Sequence, residues 1–194
     1  YGMPEVNPVT EEARLLPISP YGSSKLMTEI MLCDMAVATD LRYVALRYFN
    51  VAGADPLGRS GQSTPRATHL IKVASETALG QRPYLEVFGT DYPTKDGTCI
   101  RDYIHVSDLV RAHLDALRYL RAGGISEVLN CGYGHGFSVR EVVSAVKRIS
   151  GSDFAVREVP RRPGDPAALV AGPKRIEKVL GWKPKVTFKA LAKM

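Results

Sequence analysis

The sequence predicts an α/β protein, and three observations carry that expectation. Short β-rich runs alternate with stretches of helical periodicity along the whole chain. Gly and Pro stand mostly at the joints between these runs rather than inside them. The composition is that of an ordinary globular chain, 45% hydrophobic and 24% charged over 194 residues, which argues against disorder, collagen and coiled coil.

The elements follow in order. Residues 1–20 read as loop, broken by Pro4, Pro8, Pro17 and Pro20. Ser19-Pro20 opens a helix from about Tyr21 to Ala38, with Leu26, Ile30 and Cys33 at helical spacing and Met27 and Met31 beside them. Tyr43–Tyr48 is a buried strand, and Asn50 to Gly61 a loop. Leu70–Leu79 reads as a helix that Gly80 ends, and Leu85–Phe88 as a strand. A turn-rich loop covers Asp91–Thr98. Val106–Leu120 is a helix that Ser107 can cap, with Leu109, Ala112, His113, Ala116, Leu117 and Leu120 as its apolar face. Val128–Cys131 is a strand, and the Gly132–Gly136 turn leads to a helix capped by Ser138 and running to about Ile149. Phe154–Val159 is a strand, Arg161–Pro166 a loop, and Pro173–Leu180 a helix stopped by Gly181.

The net charge is +6, and residues 174–194 carry all of it: Lys174, Arg175, Lys178, Lys183, Lys185, Lys189 and Lys193 stand against Glu177 alone. A nucleic-acid groove spreads positive charge over a face. A short basic end reads as solvated, and no nucleic-acid partner is expected. No apolar run approaches the roughly 20 residues of a membrane helix, so no membrane partner is expected either. Cys33, Cys99 and Cys131 form neither a disulfide framework nor a zinc pattern. They fit a reducing, cytoplasmic setting, and no metal site is read.

Chemistry enters with Tyr21-Gly22-Ser23-Ser24-Lys25 at the head of the first helix. Residues four apart face the same way, and an ammonium held near a phenol favours its phenolate form. That arrangement suits a general base; it also suits an ordinary amphipathic helix. Further along stand Arg47-Tyr48-Phe49-Asn50-Val51-Ala52-Gly53, the block from Phe88 through Tyr92-Pro93-Thr94 and Arg101-Asp102-Tyr103 to Val106, and Pro160-Arg161-Arg162-Pro163-Gly164-Asp165. In this order they resemble the UDP-glucose 4-epimerase family, a branch of the extended short-chain dehydrogenase/reductases. The resemblance covers nearly the whole chain, and the Phe88–Val106 block is its most specific part.

The resemblance implies the C-terminal part of such an enzyme: the end of a Rossmann-type parallel sheet plus a smaller mixed α/β substrate domain. Residues 1–55 would be the remnant of the NAD-binding domain and 56–194 mainly the UDP-sugar-binding domain, with 106–131 possible as a return to the first. It implies that Tyr21 is the catalytic Tyr and that Lys25 holds the nicotinamide ribose, with Tyr48 near the nicotinamide. Asn50, Arg101 and Arg162 match positions that hold the UDP diphosphate, where the guanidinium fork suits paired phosphate oxygens. His69, Leu70, Glu86, Val87 and Phe88 match segments around the uridine, and Asp165 a carboxylate on its ribose. Leu169 matches a position that influences whether N-acetylated sugars fit.

Each residue also has a plainer reading. Arg101 could pair with Asp102, and Phe88 could belong to the core. Arg161 and Arg162 are adjacent, so one of them faces solvent; the match selects Arg162. The Gly132-Tyr133-Gly134-His135-Gly136 turn lacks the G-x-G-x-x-G spacing of a dinucleotide fingerprint and reads as a tight turn. The Gly-rich unit that the family uses for the NAD pyrophosphate is not in this sequence. The expectation is therefore an N-terminally truncated member, inactive alone, and a homodimer through the Tyr helix when intact. UDP-N-acetylhexosamine or UDP-pentose epimerases, 4,6-dehydratases, decarboxylases and a non-catalytic uridine-nucleotide module remain as alternatives.

Overall fold

The computed structural model describes residues 1–186. Lys189 and Lys193 of the basic end lie outside the described residues. Within them, Arg175 pairs with Glu127 at 2.8 Å and Lys183 with Glu177 at 2.8 Å, so part of the basic end is neutralised inside the molecule.

The chain runs α1 (Pro20–Ala38), β1 (Val44–Arg47), β2 (Asn50–Ala52), α2 (Leu70–Ala78), β3 (Leu85–Phe88), β4 (Ile100–Arg101), β5 (Tyr103–His105), α3 (Val106–Arg121), β6 (Glu127–Asn130), β7 (Phe137–Ser138), α4 (Val139–Ser150), β8 (Val156–Val159), β9 (Ala168–Leu169) and α5 (Lys174–Leu180). Three parallel pairs, β1–β6, β2–β5 and β3–β8, join strands far apart in sequence. A small mixed sheet in the order β7-β4-β9 stands beside them. Mostly parallel pairing with helical crossovers is the expected α/β class.

Two cores organise the molecule. In the first, α3 and α5 cover the β1–β6 and β2–β5 pairs around buried Ile104, Leu129, Ile176 and Trp182. In the second, α2 and α4 pack over β3 around Ala74, Leu85, Val87, Val143 and Phe154. Leu70, at the start of α2, packs against both.

The termini of α4 show why these residues fold as they do. The Ser138 hydroxyl accepts from Glu141 N at 3.1 Å, and the Glu141 carboxylate accepts from Ser138 N at 2.8 Å. This reciprocal cap satisfies two otherwise orphaned donors, and Gly151 closes the other end at φ 68°. Helix α3 departs from expectation: its cap is the His105 ring, which accepts from Ser107 N at 3.1 Å, rather than the Ser107 hydroxyl. Its outer residues Val110, Leu114 and Leu117 are exposed.

Asn50–Ala52, expected as loop, is a strand, because Tyr103–His105 offers it a parallel partner. Gly53 then turns at φ 78°, and a Cβ there would lie 2.2 Å from the His105 ring. Only glycine allows that close approach. Helix α1 begins as expected, with the Ser19 hydroxyl accepting from Gly22 N at 3.1 Å and Pro20 following. None of its 19 residues is buried, so the row expected to face a core faces none among the described residues. No helix among the described residues is long and apolar enough to cross a membrane.

Candidate active site

A cleft of about 840 Å3 lies where the second core meets β2, β4 and β5. Asn50, His69, Leu70, Glu86, Phe88, Arg101, Arg162 and Asp165 all line it. Alternation along β3 explains part of this. Val87 is buried in the second core, while its neighbours Glu86 and Phe88 reach the cleft. Val87 thus sits behind the cleft rather than on it. Leu169 also lies off the lining; it stands on β9 opposite Arg101.

Arg101 is held by backbone. Its guanidinium donates to the carbonyls of Ile100 at 2.9 Å and Pro166 at 2.8 Å, and reaches the Asp165 carboxylate at 3.4 Å. The alternative pairing with Asp102 does not form, because successive residues of an extended chain point to opposite sides. Asp102 turns into the protein and accepts from Tyr133 N at 3.2 Å and Ala171 N at 3.1 Å. Burial raises its pKa to about 6, against these stabilising N–H donors. Asn50 is fixed by donating its side-chain amide to the Asp102 carbonyl at 3.1 Å.

The adjacent arginines divide their work. Arg161 pairs with Asp91 at 2.7 Å and lies over the Tyr92 ring at 4.2 Å. Arg162 lies over the Phe88 ring, 3.6 Å from its centroid, and lines the cleft. Phe88 is therefore a partly exposed stacking surface whose partner in this state is a guanidinium. Burial lowers the His69 pKa, which favours its neutral form at the cleft wall.

Tyr21 and Lys25 stand elsewhere. They occupy one exposed face of α1, with the Lys25 ammonium 5.2 Å from the Tyr21 ring centroid. Tyr48 is exposed beyond β1 and meets the His113 ring edge-on at 6.4 Å. None of the three lines the cleft.

Exposed phenol and ammonium groups are chemically able to hydrogen-bond the sugar and amide of a dinucleotide. The Gly132–Gly136 turn does not suit its pyrophosphate. A Cβ on Gly132 would lie 2.4 Å from the Asp102 carboxylate, and one on Gly136 would lie 2.6 Å from Ile100. The space these glycines leave is filled by the protein, as the reading of a tight turn expects. Among the described residues no group of three or more His, Cys, Asp or Glu is placed to hold a metal.

Sequence reasoning missed several cleft residues, including Arg66, Arg82, Tyr84, Cys99 and Tyr103. Tyr84 immediately precedes a recognised strand, and Cys99 lies within the most specific motif block. Both signals were present. Arg66 and Arg82 flank helix α2 without any motif. Arg82 is bound to Glu76 at 2.5 Å, which leaves Arg66, Arg101 and Arg162 as the cleft's other arginines.

The chain is similar to known proteins over nearly its whole length. The family model described as GDP-mannose 4,6 dehydratase matches residues 1–194. A UDP-glucose 4-epimerase of Azospirillum brasilense is 62% identical over 185 residues, 95% of this chain and 53% of that protein. The crystal structure of UDP-glucose 4-epimerase from Brucella ovis in complex with NAD matches 99% of this chain and 59% of its own, with TM-score 0.95 and 46% identity. The UDP-glucose 4-epimerase from Bifidobacterium longum, in complex with NAD+ and UDP, matches 100% of this chain and 58% of its own, with TM-score 0.92 and 39% identity. The chain spans about half the length of the curated relatives it matches. The chain belongs to the GDP-mannose 4,6 dehydratase family.

Proposed function

We propose, from that membership, that this chain is the UDP-sugar-binding part of an NAD-dependent UDP-glucose 4-epimerase. The observation that carries the reading is the meeting of Arg101, Arg162, Asn50 and Asp165 with the Phe88 ring in one cleft. Two guanidiniums and an amide suit a diphosphate, an aromatic face suits a pyrimidine, and a carboxylate suits ribose hydroxyls. The relatives named above support the same assignment.

In this reading Arg101 and Asn50, both braced by backbone, fix the diphosphate, and Arg162 leaves the Phe88 ring to join them. The uracil takes the place on that ring, between the walls formed by His69, Leu70 and Glu86. Val87 supports the wall from behind. A firmly held UDP leaves the sugar free to present either face. Tyr21 takes the proton of the sugar 4-hydroxyl and later returns it; Lys25 and Tyr48 hold the ribose and nicotinamide end of the cofactor. The chemistry that NAD supplies when bound is reversible hydride exchange at hexose carbon 4, which inverts that carbon with no net redox change.

UDP-glucose and UDP-galactose are the preferred pair, with Leu169 acting on sugar size through its β9 pairing with Arg101. Residues 1–55 and 106–131 form the nucleotide-domain part, and the remainder the substrate part. The intact protein is a homodimer through α1, whose exposed Met27, Ile30, Met31 and Met35 support such a contact.

The test joins this chain to the portion of a curated relative that it does not span. The joined protein is assayed with UDP-glucose, UDP-galactose, UDP-N-acetylhexosamines and UDP-pentoses. Interconversion of glucose and galactose that collapses in Tyr21→Phe is the expected result, with the chain alone binding UDP and turning nothing over. UDP-sugar binding without epimerisation would move the reading to a dehydratase or a binding module, and absence of UDP binding would end it.

A further inference from the structure

The Tyr92 hydroxyl is the outlier of the structure. Tyr92 is only 5% exposed, and its hydroxyl is a fully buried polar atom with no hydrogen-bond partner among the described residues. An unsatisfied buried hydroxyl is costly, and native structures rarely keep one without a reason. The side chain cannot swing out to find a partner. Arg161 lies over one part of its ring at 4.2 Å, and a Cβ added to Gly89 would lie 2.6 Å from the ring edge. The backbone is equally fixed, with Tyr92 N donating to the Gly97 carbonyl at 2.8 Å. A partner must come to the hydroxyl.

One candidate is poised to do so. Asp165 and Cys99 both line the cleft; burial, and then the negative charge of Asp165, raise the pKa of the Tyr92 hydroxyl and keep it a donor. Asp165 is held only loosely by Arg101, at 3.4 Å. That is long for a charge-assisted contact, which closes to roughly 2.7–2.9 Å when well made. Arg101 keeps two carbonyl contacts whether or not it touches Asp165. An anionic ligand therefore competes for the guanidinium arm that now faces Asp165, and a carboxylate that loses its cation needs donors.

We propose that Tyr92 is a positioning residue whose hydroxyl donates to the Asp165 carboxylate when a nucleoside diphosphate takes the arm of Arg101 that now faces Asp165. The hydrogen bond aims Asp165 at the ligand's ribose, since a carboxylate has acceptor sites for both. The free site stores an unmade bond, and ligand binding makes it. This inference rests on the reading of the cleft as a UDP site.

The experiment uses UDP as the probe and Tyr92→Phe as the variant, which keeps the ring and its packing. Titration calorimetry on the full chain is expected to show UDP affinity falling about fivefold to tenfold. The melting temperature of the free variant stays equal or rises, because the orphan group is gone. In an Asp165→Ala background the affinity loss from Tyr92→Phe shrinks below about twofold.

A ligand-free arm uses Arg101→Met, which removes the guanidinium arm that faces Asp165. There Tyr92→Phe lowers the melting temperature by about 2–4 °C. Unchanged UDP affinity, a loss that persists in Asp165→Ala, or a free variant that melts lower because a buried water held the hydroxyl would each overturn the proposal. If UDP does not bind the wild-type chain, the cleft reading fails. The Arg101→Met arm then decides this inference by itself.

Discussion

Helices α1 and α4 both look amphipathic in the sequence, yet they end in opposite circumstances. Helix α4 is closed at both ends and buries Val142, Val143 and Ala145, with Val142 in the first core and Val143 in the second. It carries Glu141 in its first turn and Lys147 and Arg148 in its last, in the sense that complements the helix dipole. Its Val139 lines the cleft. Helix α1 has no acidic residue in its first turn, no basic residue in its last, and no buried side chain. The half of the proposed chemistry that grips UDP therefore rests on a finished core, and the half that bears Tyr21 and Lys25 rests on a surface. Binding and proton transfer should be separable by mutation.

The largest expected effect comes from Tyr21→Phe in the joined protein. Turnover should fall about a thousandfold while calorimetric UDP affinity stays within about twofold. A matching loss of UDP affinity would erase the division between the two halves. Arg101→Leu should act on the other side and weaken UDP binding about a hundredfold.

Stability should follow the same contrast. Val142→Ala should cost about 2 kcal/mol in urea denaturation, and Ile30→Ala on α1 less than about 0.5 kcal/mol. Equal costs would mean that the α1 row is covered in solution.

The smallest effect concerns the buried Asp102 carboxyl next to Arg101 in the chain. The folded-state pKa of Asp102 lies at about 6, above its ordinary value of 3.8. The folded state therefore binds the proton more tightly, and this carboxyl becomes more favourable as pH falls from 7 towards 4. Burial lowers the pKa values of His69 and His105, and their protonation works in the opposite sense. The comparison with Asp102→Asn isolates the carboxyl. Wild type should gain about 1 kcal/mol on the variant between pH 7 and pH 5.

The legible parts of the sequence were those long enough to show a period. The five helices, and strands β1, β3, β6 and β8, lie within a few residues of their expected places. Strands β2, β4, β5, β7 and β9 have two or three residues each, too few for alternation to register, and they exist because of distant partners. The α3 cap escaped notice because a ring nitrogen took the place of a hydroxyl. In the site, Arg101, Arg162 and Asp165 were legible through motif order rather than chemistry. Tyr92 and Asp102 lay in the same motif, but their importance comes from burial, which no local pattern carries. Whether α1 would find a partner was likewise invisible, since an apolar row reads the same covered or bare.

The parallel pairings also set a timetable for synthesis. Val44 waits for Glu127, and Leu85 for Val156, before either strand can be paired. Loop closure over such spans is slow, and β1 and β3 emerge before the partners that β6 and β8 supply. Both cores therefore close late and nearly together. A ribosome that stalls between residues 106 and 126 leaves both β1 and β3 without these partners, and that interval is where a chaperone would be needed most.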